Sequence, residues 1–476
     1  MSLTSLIFLC LVLPLTLAAY YGVRIIGGEG VVAKNLAKGI LLAVSMFAYY
    51  WVAAEYLPLL IAAVLATYVF ALVIDAARGM AKKLLLAIAV IASVAFLVYY
   101  KYTDYFLETL QQFVPSVQYE PLNLIQPLGI SFLVFSLISY FMDVYRGTIK
   151  ADRNLLNVAL WAFFFAKIVS GPIVRYGQMF RPDEDCPARP CLDDVSSGAR
   201  RFVIGLAKKV IIANTLGQTA DMVFALEAID TPFAWLGALC YTFQLFFDFA
   251  GYSDMALGIG LMLGFRFEEN FKYPYISKTV GEFWNRWHIS LSSWLRDYLY
   301  FPLGGSRRGN VYFNLLVVFF VSGLWHGASN HFVLWGLWYA FFMVIDRVYR
   351  TYVLPRFKIP SVLTWLFTMA VVVAGWVIFR ASDVHQAKDF LFVMIGIVKE
   401  APELPFGFFY YADNRVLILL VVSAVLSTPI IHKLKERFGN TAVWNIVSAV
   451  GTPLLLLISM SFILNSTYSP FLYAQF

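Results

Sequence analysis

Apolar residues fall along this chain in stretches of about 17 to 25, the length that crosses a bilayer as a helix, and clusters of basic residues separate them. The first stretch, about Leu3 to Val23, is followed by Arg24, Lys34 and Lys38. The next two, about Gly39 to Ala54 and Leu57 to Ile74, flank Glu55 and precede Arg78, Lys82 and Lys83. A fourth runs from about Leu84 to Tyr100. Basic clusters after every second span place those loops in the cytoplasm and the N-terminus outside. Met1 to Ala19 lacks a basic leader and reads as a retained first span. Residues 101–126, with Tyr102, Tyr105, Phe106 and Phe113, read as an external loop carrying a short interfacial helix. A span from about Pro127 to Val144 ends at Arg146.

The middle of the chain breaks the pattern. Phe163 to Val174 carries Lys167 and a Gly171-Pro172 break, and Arg201 to Asn214 carries Lys208 and Lys209. Such pieces read as re-entrant or tucked into protein, because irregular backbone at membrane depth has to be shielded from lipid. Thr231 to Gly264 reads as one long span or two shorter ones. Further spans are expected at about Val311 to Leu324, Phe332 to Ile345, Leu363 to Phe379, Phe390 to Val398, Val416 to Ile431 and Trp444 to Leu464. The expectation is an all-α polytopic membrane protein with about ten to twelve transmembrane or re-entrant helices. There is no fixed-period repeat and no separate soluble domain.

Composition agrees. The 476 residues are 61% hydrophobic, 17% aromatic and only 14% charged, too greasy for a soluble fold to bury. The net charge of +7 fits cytoplasmic loops of a membrane protein and gives no reason to invoke nucleic acid. Cys10 and Cys240 sit in apolar spans, and Cys186 and Cys191 share a polar loop at a spacing wrong for a redox or zinc motif. The latter two are expected to be free thiols.

The candidate chemistry concentrates between 264 and 327. The chain has 5 histidines and places two of them in Trp-His pairs, Trp287-His288 and Trp325-His326. Thr279-x-x-Glu282 fits a capping box. The helix it opens puts Phe283, Trp284, Trp287, Leu291, Trp294 and Tyr298 on one apolar face, with His288 and Arg286 at its polar boundary, as on a helix that lies along an interface or caps a bundle. His326 lies near the end of an apolar span, where an ionisable group is costly and function is the default reading. Gly323 and Gly327 beside it permit close helix packing or close approach of a ligand. His331 reads as structural, and His385 and His432 as solvated. Asp248 and Tyr252 are one helical turn apart; Asp248 and Asp254 suit orienting a histidine, pairing with an arginine or a purely structural role. Arg266, Lys272, Arg286, Arg296, Arg307 and Arg308 suit two purposes, binding anionic lipid headgroups or holding the phosphates of a cofactor such as coenzyme A. No P-loop, no H-E-x-x-H and no G-x-S-x-G elbow is present, and the histidines are too isolated for a metal site.

These residues resemble the membrane-bound O-acyltransferases, in particular the bacterial polysaccharide branch that includes the membrane subunit of alginate O-acetylation. The resemblance rests on Pro127–Phe132, Tyr140–Gly147, Gly171–Arg175, Phe247–Asp254, Asn270–Tyr275, Phe283–Gly305, Leu324–Gly327 and Pro470–Tyr473. It implies a single membrane domain of helices ringing a central tunnel, with variable helices over 1–126, a catalytic core over 127–345 and further helices over 346–476. It implies that His326 is the active-site histidine, as general base or acetyl carrier, and His288 the second functional position. Asp248, Tyr252, Asp254, Trp287 and Trp325 would support them. The expected function is transfer of acetyl groups from cytoplasmic acetyl-CoA, a donor substrate and not a tightly bound cofactor, for O-acetylation of an exported polysaccharide. The bacterial inner membrane would be its place, with a separate extracytoplasmic SGNH-type acetyltransferase as partner; the acceptor polysaccharide would be met directly or through that partner. D-alanyl or other acyl transfer to an envelope polymer, and a non-catalytic transporter or export subunit, are the alternatives.

Overall fold

The computed structural model describes residues 2–28, 30–116, 118–169, 171–180, 191–357, 359–397, 405–466 and 468. All regular structure among these is helical, and the chain forms two compact units. One holds residues 1–202 and 253–268, the other 203–252 and most of 269–475. The helix Thr231–Met262 contributes its first part to the second unit and its last part to the first.

The first unit is built on Ile130–Arg146. Thirteen of its 17 residues are buried, polar Ser131, Ser136 and Ser139 among them. A helix buried to this extent lies in the protein interior, and Leu57–Ala76 and Gly79–Lys101 pack against it. Before it, Gly129 has φ +74°, and a Cβ there would stand 2.2 Å from the carbonyl oxygen of Ile168. That oxygen belongs to the irregular stretch after Leu155–Phe163. The stretch is held from inside: Phe165 N–H donates to Ser45 Oγ at 3.1 Å, and Trp161 Nε1 donates to the carbonyl of Val174 at 2.9 Å. Lys167 is buried there, its ammonium 5.0 Å from the centre of the Trp161 ring. The stretch is thus tucked into protein and held by protein hydrogen bonds.

The second unit contains the hairpin of Val311–His326 and Asn330–Val348, with Ser361–Arg380 beside it. The Asn310 side chain opens the hairpin by accepting from the N–H groups of Tyr312 and Phe313. Ala442–Asn465 exposes Val443, Ile446, Val447, Val450, Leu454 and Leu457, an apolar face that suits lipid and would be a liability in water.

The expected count of ten to twelve helices does not hold. Among the described residues seven helices are long and apolar enough to cross a membrane, or eight if the pair Asn414–Leu426 and Ile430–Phe438, bent by 61°, counts as one span. Apolar character marks burial in protein as well as contact with lipid. Ile130–Arg146 has 17 residues and is buried as core; Val311–His326 has only 16 residues, and Val384–Met394 only 11. Thr231–Met262 is one helix of 32 residues. The region around Lys208 and Lys209 is not a set of short pieces: Leu192–Ala207, Lys208–Ala213 and Asn214–Phe224 follow one another without a gap, with a π-helical turn in the middle.

Gly129→Ala is expected to lower the melting temperature of the detergent-purified protein well below that of Gly147→Ala. Both positions have φ +74°, worth roughly 1–3 kcal/mol of strain, but nothing lies within 4 Å of a Cβ at Gly147. Equal melting temperatures would show that the contact with Ile168 is not tight.

Candidate functional site

The basic, tryptophan-rich segment does not form the single helix its periodicity suggests. Thr279 caps Val280–Arg286, its Oγ1 accepting from Glu282 N–H at 3.1 Å, while the Glu282 carboxylate takes the N–H of Lys278. The helix then stops. Trp287 is extended, His288 adopts φ +43° and ψ +56°, and a new helix, Ile289–Leu295, begins. A left-handed conformation is uncommon for a residue with a Cβ and needs support from its surroundings.

Asn270 supplies it. Its carbonyl accepts from Ile289 N–H at 3.0 Å. Its side-chain Oδ1 accepts from Ser290 N–H at 3.1 Å and Ser290 Oγ at 2.9 Å, and lies 3.3 Å from His288 Nδ1. With Oδ1 as acceptor, the Nδ1 of His288 carries the hydrogen and Nε2 is the basic nitrogen. The ring is buried, not interfacial as the helical wheel implied, because the break turns it inward. It meets the edge of Phe249 with centroids 4.6 Å apart. Burial pushes its pKa well below the usual imidazole value, so the ring is neutral at physiological pH.

His326 ends the helix Val311–His326 and is also buried. Close backbone contact keeps it there: a Cβ on Gly323 would meet the carbonyl oxygen of Phe332 at 2.4 Å, and one on Gly336 that of Phe319 at 2.4 Å. Gly323 thus serves close helix packing, and Gly327 lies against the Phe332 ring. The His326 ring meets Trp335 and Phe379 edge to face, with centroids at 4.8 and 5.1 Å. Trp325 stands beside both histidines, its ring 4.8 Å from His326 and 6.1 Å from His288. Trp287 packs on Trp376, which in turn packs on Trp335 and Phe379. His288, His326, Trp287 and Trp325 therefore share one buried aromatic cluster.

The acids lie apart from it in their main pairings. Asp248 forms a buried ion pair with Lys209. Asp254 belongs to the first unit, where Arg201 holds it through Nε and Nη2 at 3.0 and 2.9 Å. Tyr252 is buried. Three of the six candidate cations already hold carboxylates: Arg266 with Asp194, Arg286 with Glu282 and Arg296 with Asp297. Arg307 and Arg308 are exposed on the turn before Val311, and Lys272 is exposed. His331 bonds Ser329 Oγ through Nδ1 at 2.8 Å, while His385 and His432 are exposed. Among the described residues no three His, Cys, Asp or Glu side chains gather as a metal would require. Cys186 and the 470–473 motif lie outside the described residues.

Sequence reasoning did not assign roles to Asn270, Lys209, Trp335, Trp376 and Phe379. The last three sit on spans whose apolar character hides which residues face inward. Asn270 left one signal, an amide just ahead of the aromatic run Phe271–Tyr275.

The chain carries several helices long enough to cross a membrane, and residues 46–382 match the MBOAT, membrane-bound O-acyltransferase, family; the chain belongs to it. It is an enzyme of the bacterial inner-membrane type. Over 393 residues it is 43% identical to the "probable alginate O-acetylase" of Pseudomonas putida, covering 81% of this chain and 78% of that protein. The peptidoglycan O-acetyltransferase of Helicobacter pylori is 34% identical over 495 residues, covering 93% of each chain. The teichoic acid D-alanyltransferase of Bacillus subtilis is 32% identical over 295 residues, covering 57% of this chain and 73% of that protein.

Removing one partner of the Lys209–Asp248 pair strands a buried charge, which costs about 3–5 kcal/mol. Lys209→Met alone should therefore destabilise the protein sharply, and adding Asp248→Leu should recover most of the loss in a thermal or denaturant melt. A double variant no more stable than the single one would mean that Asp248 has another role.

Proposed function

We propose that this protein transfers acetyl groups from cytoplasmic acetyl-CoA towards hydroxyl groups of an exported polysaccharide, with His326 as the general base. Family membership makes the donor an acyl-CoA-type molecule. The finer reading, acetyl, is supported by relatives named for O-acetylation at 43% and 34% identity. The observation that carries the assignment of His326 is its place: a buried imidazole at the end of a helix, inside an aromatic cage.

In this reading a hydroxyl oxygen of the acceptor attacks the thioester carbonyl carbon while His326 takes its proton. The C–O bond forms, the C–S bond breaks, and coenzyme A leaves as a thiolate that recovers the proton from the imidazolium. The partial negative charge at the helix C-terminus stabilises the positive charge that develops on the ring. Accepting a proton needs contact at one ring nitrogen. An acetyl group carried on the ring needs added room beside three aromatic neighbours, so the cage favours the base over the carrier. His288, fixed as a neutral acceptor by Asn270, assists by orienting a substrate group or relaying a proton. A separate extracytoplasmic acetyltransferase as partner is compatible with this reading.

His326→Ala is expected to abolish acetyl transfer while the protein still reaches the membrane at normal level, and His288→Ala to reduce transfer by about 10²- to 10⁴-fold. Acetyl release from the polymer, measured with membrane protein level, tests both; wild-type transfer by His326→Ala would overturn the assignment.

Donor phosphates are proposed to meet Arg307, Arg308 and Lys272, which have no carboxylate partner among the described residues. Each charge-assisted contact is worth roughly 1.5–3 kcal/mol, so Arg307→Ala with Arg308→Ala should weaken coenzyme A binding by at least tenfold. Arg296→Ala should do less, because Asp297 already holds that side chain. Lys388→Ala, at an exposed lysine beside Asp389, is the control. Loss no greater than the control would leave these cations as lipid contacts.

A further inference from the structure

The second unit contains a cavity of about 490 Å³ that the histidine cluster does not use. Its wall is drawn from Asn214–Phe224, the segment before Asn414–Leu426 and the end of Ala442–Asn465. The size falls within the ~300–1,000 Å³ typical of small-ligand sites. The polar lining includes Asn214, Thr215, Gln218, Tyr410, Asp413 and Arg415.

Its charge is balanced, since Arg415 Nε lies 3.4 Å from the Asp413 carboxylate. What remains is amides and hydroxyls, groups that both donate and accept and so match vicinal hydroxyls. Tyr410 is 59% exposed and stacks on Phe406 with centroids 4.2 Å apart and ring planes 19° apart, giving a flat aromatic ledge at the rim. Asn214 is 8% exposed; its Nδ2 donates to the Tyr468 carbonyl at 3.3 Å, and its Oδ1 has no hydrogen-bond partner among the described residues. A buried acceptor left without a donor is costly, and a ligand hydroxyl in the cavity would relieve it.

Placement points the same way. The basic end of the neighbouring helix pair is the other one, where Ile430–Phe438 carries Lys433, Lys435 and Arg437. Lysine and arginine collect on the cytoplasmic side, so the cavity opens at the extracytoplasmic end. A chain of contacts also joins it to the histidine. Asn214 bonds Tyr468, the Tyr468 hydroxyl bonds Asp221, Arg380 pairs with Asp221, and the adjacent Phe379 packs on His326.

We infer that this cavity is a saccharide site: it holds one or two pyranose units of the acceptor, their hydroxyls on Asn214 and Gln218 and a ring face on Tyr410. The inference rests on the acetyl-transfer reading above for the identity of the ligand as acceptor, but the binding itself is measured without catalysis.

The test is calorimetric titration of the full-length protein in detergent with three hexasaccharides: an oligouronate, a β-1,4-glucan and a β-1,4-linked N-acetylglucosamine oligomer. Wild type should bind at least one, and the one it binds indicates the acceptor class. Gln218→Ala and Tyr410→Ala should each weaken that binding by about tenfold, the equivalent of one lost hydrogen bond or ring contact. Both side chains are exposed, and unchanged melting temperatures would show that the variants remain folded. Binding of none of the three, or binding unchanged in both variants, would overturn the proposal. The two readings fail separately. Normal transfer by His326→Ala removes the histidine mechanism and leaves the saccharide site standing, whereas an essential His326 with no saccharide binding does the reverse.

Discussion

The geometry of the histidine cluster hangs on one amide. Asn270 Oδ1 gathers Ser290 N–H, Ser290 Oγ–H and His288 Nδ1–H on a single oxygen, while its carbonyl takes Ile289 N–H. Without those bonds the left-handed turn at His288 would leave buried donors unsatisfied, at about 1–3 kcal/mol each. With them, a helix breaks at the point that swings an imidazole from a surface boundary into the core. The same contact fixes the tautomer, so position and proton chemistry follow from one set of hydrogen bonds.

Around that turn the unit is lined with rings, not charges. Trp325, Trp335 and Phe379 meet the histidines with edge-to-face and tilted contacts, and Trp376 packs on Trp335 and Trp287. Such packing excludes water and lowers the local dielectric, which strengthens any electrostatic effect inside it. Charges are paired elsewhere: buried Lys209 with Asp248 in the second unit, half-buried Arg201 with Asp254 in the first. Arg307 and Arg308 lie exposed on the segment just before Val311. A division results, in which aromatic packing serves the histidines, ion pairs serve helix packing, and solvated cations remain for an anionic ligand or lipid.

Much of the candidate site was legible because its residues are chemically rare. Two Trp-His pairs among 5 histidines stand out in any apolar chain, and the Thr279–Glu282 cap is visible as a spacing. Both histidines do fall in one cluster with Trp287 and Trp325. Less legible were the partners of the acids. Asp248 and Asp254 are six residues apart on one helix, yet their ion-pair partners belong to different units, and no local pattern encodes that. The aromatic wall from Trp335, Trp376 and Phe379 was hidden for a similar reason, since on a lipid-embedded helix the inward and outward faces are both apolar.

By itself the sequence determined the environment, the helical class and the residues able to do acid–base chemistry. These follow from composition, from runs whose length matches a bilayer and from the scarcity of imidazole. The number of membrane-crossing helices, the break at His288 and the pairing of each charge were decided only in the tertiary structure. An apolar run looks the same whether lipid or protein covers it, and Ile130–Arg146 is covered by protein. A helical period continues on paper through Trp287 and His288, but hydrogen bonds to Asn270, eighteen positions away from His288, favour a turn there. Such contacts depend on which segments meet in space, and that is settled by packing of the whole chain.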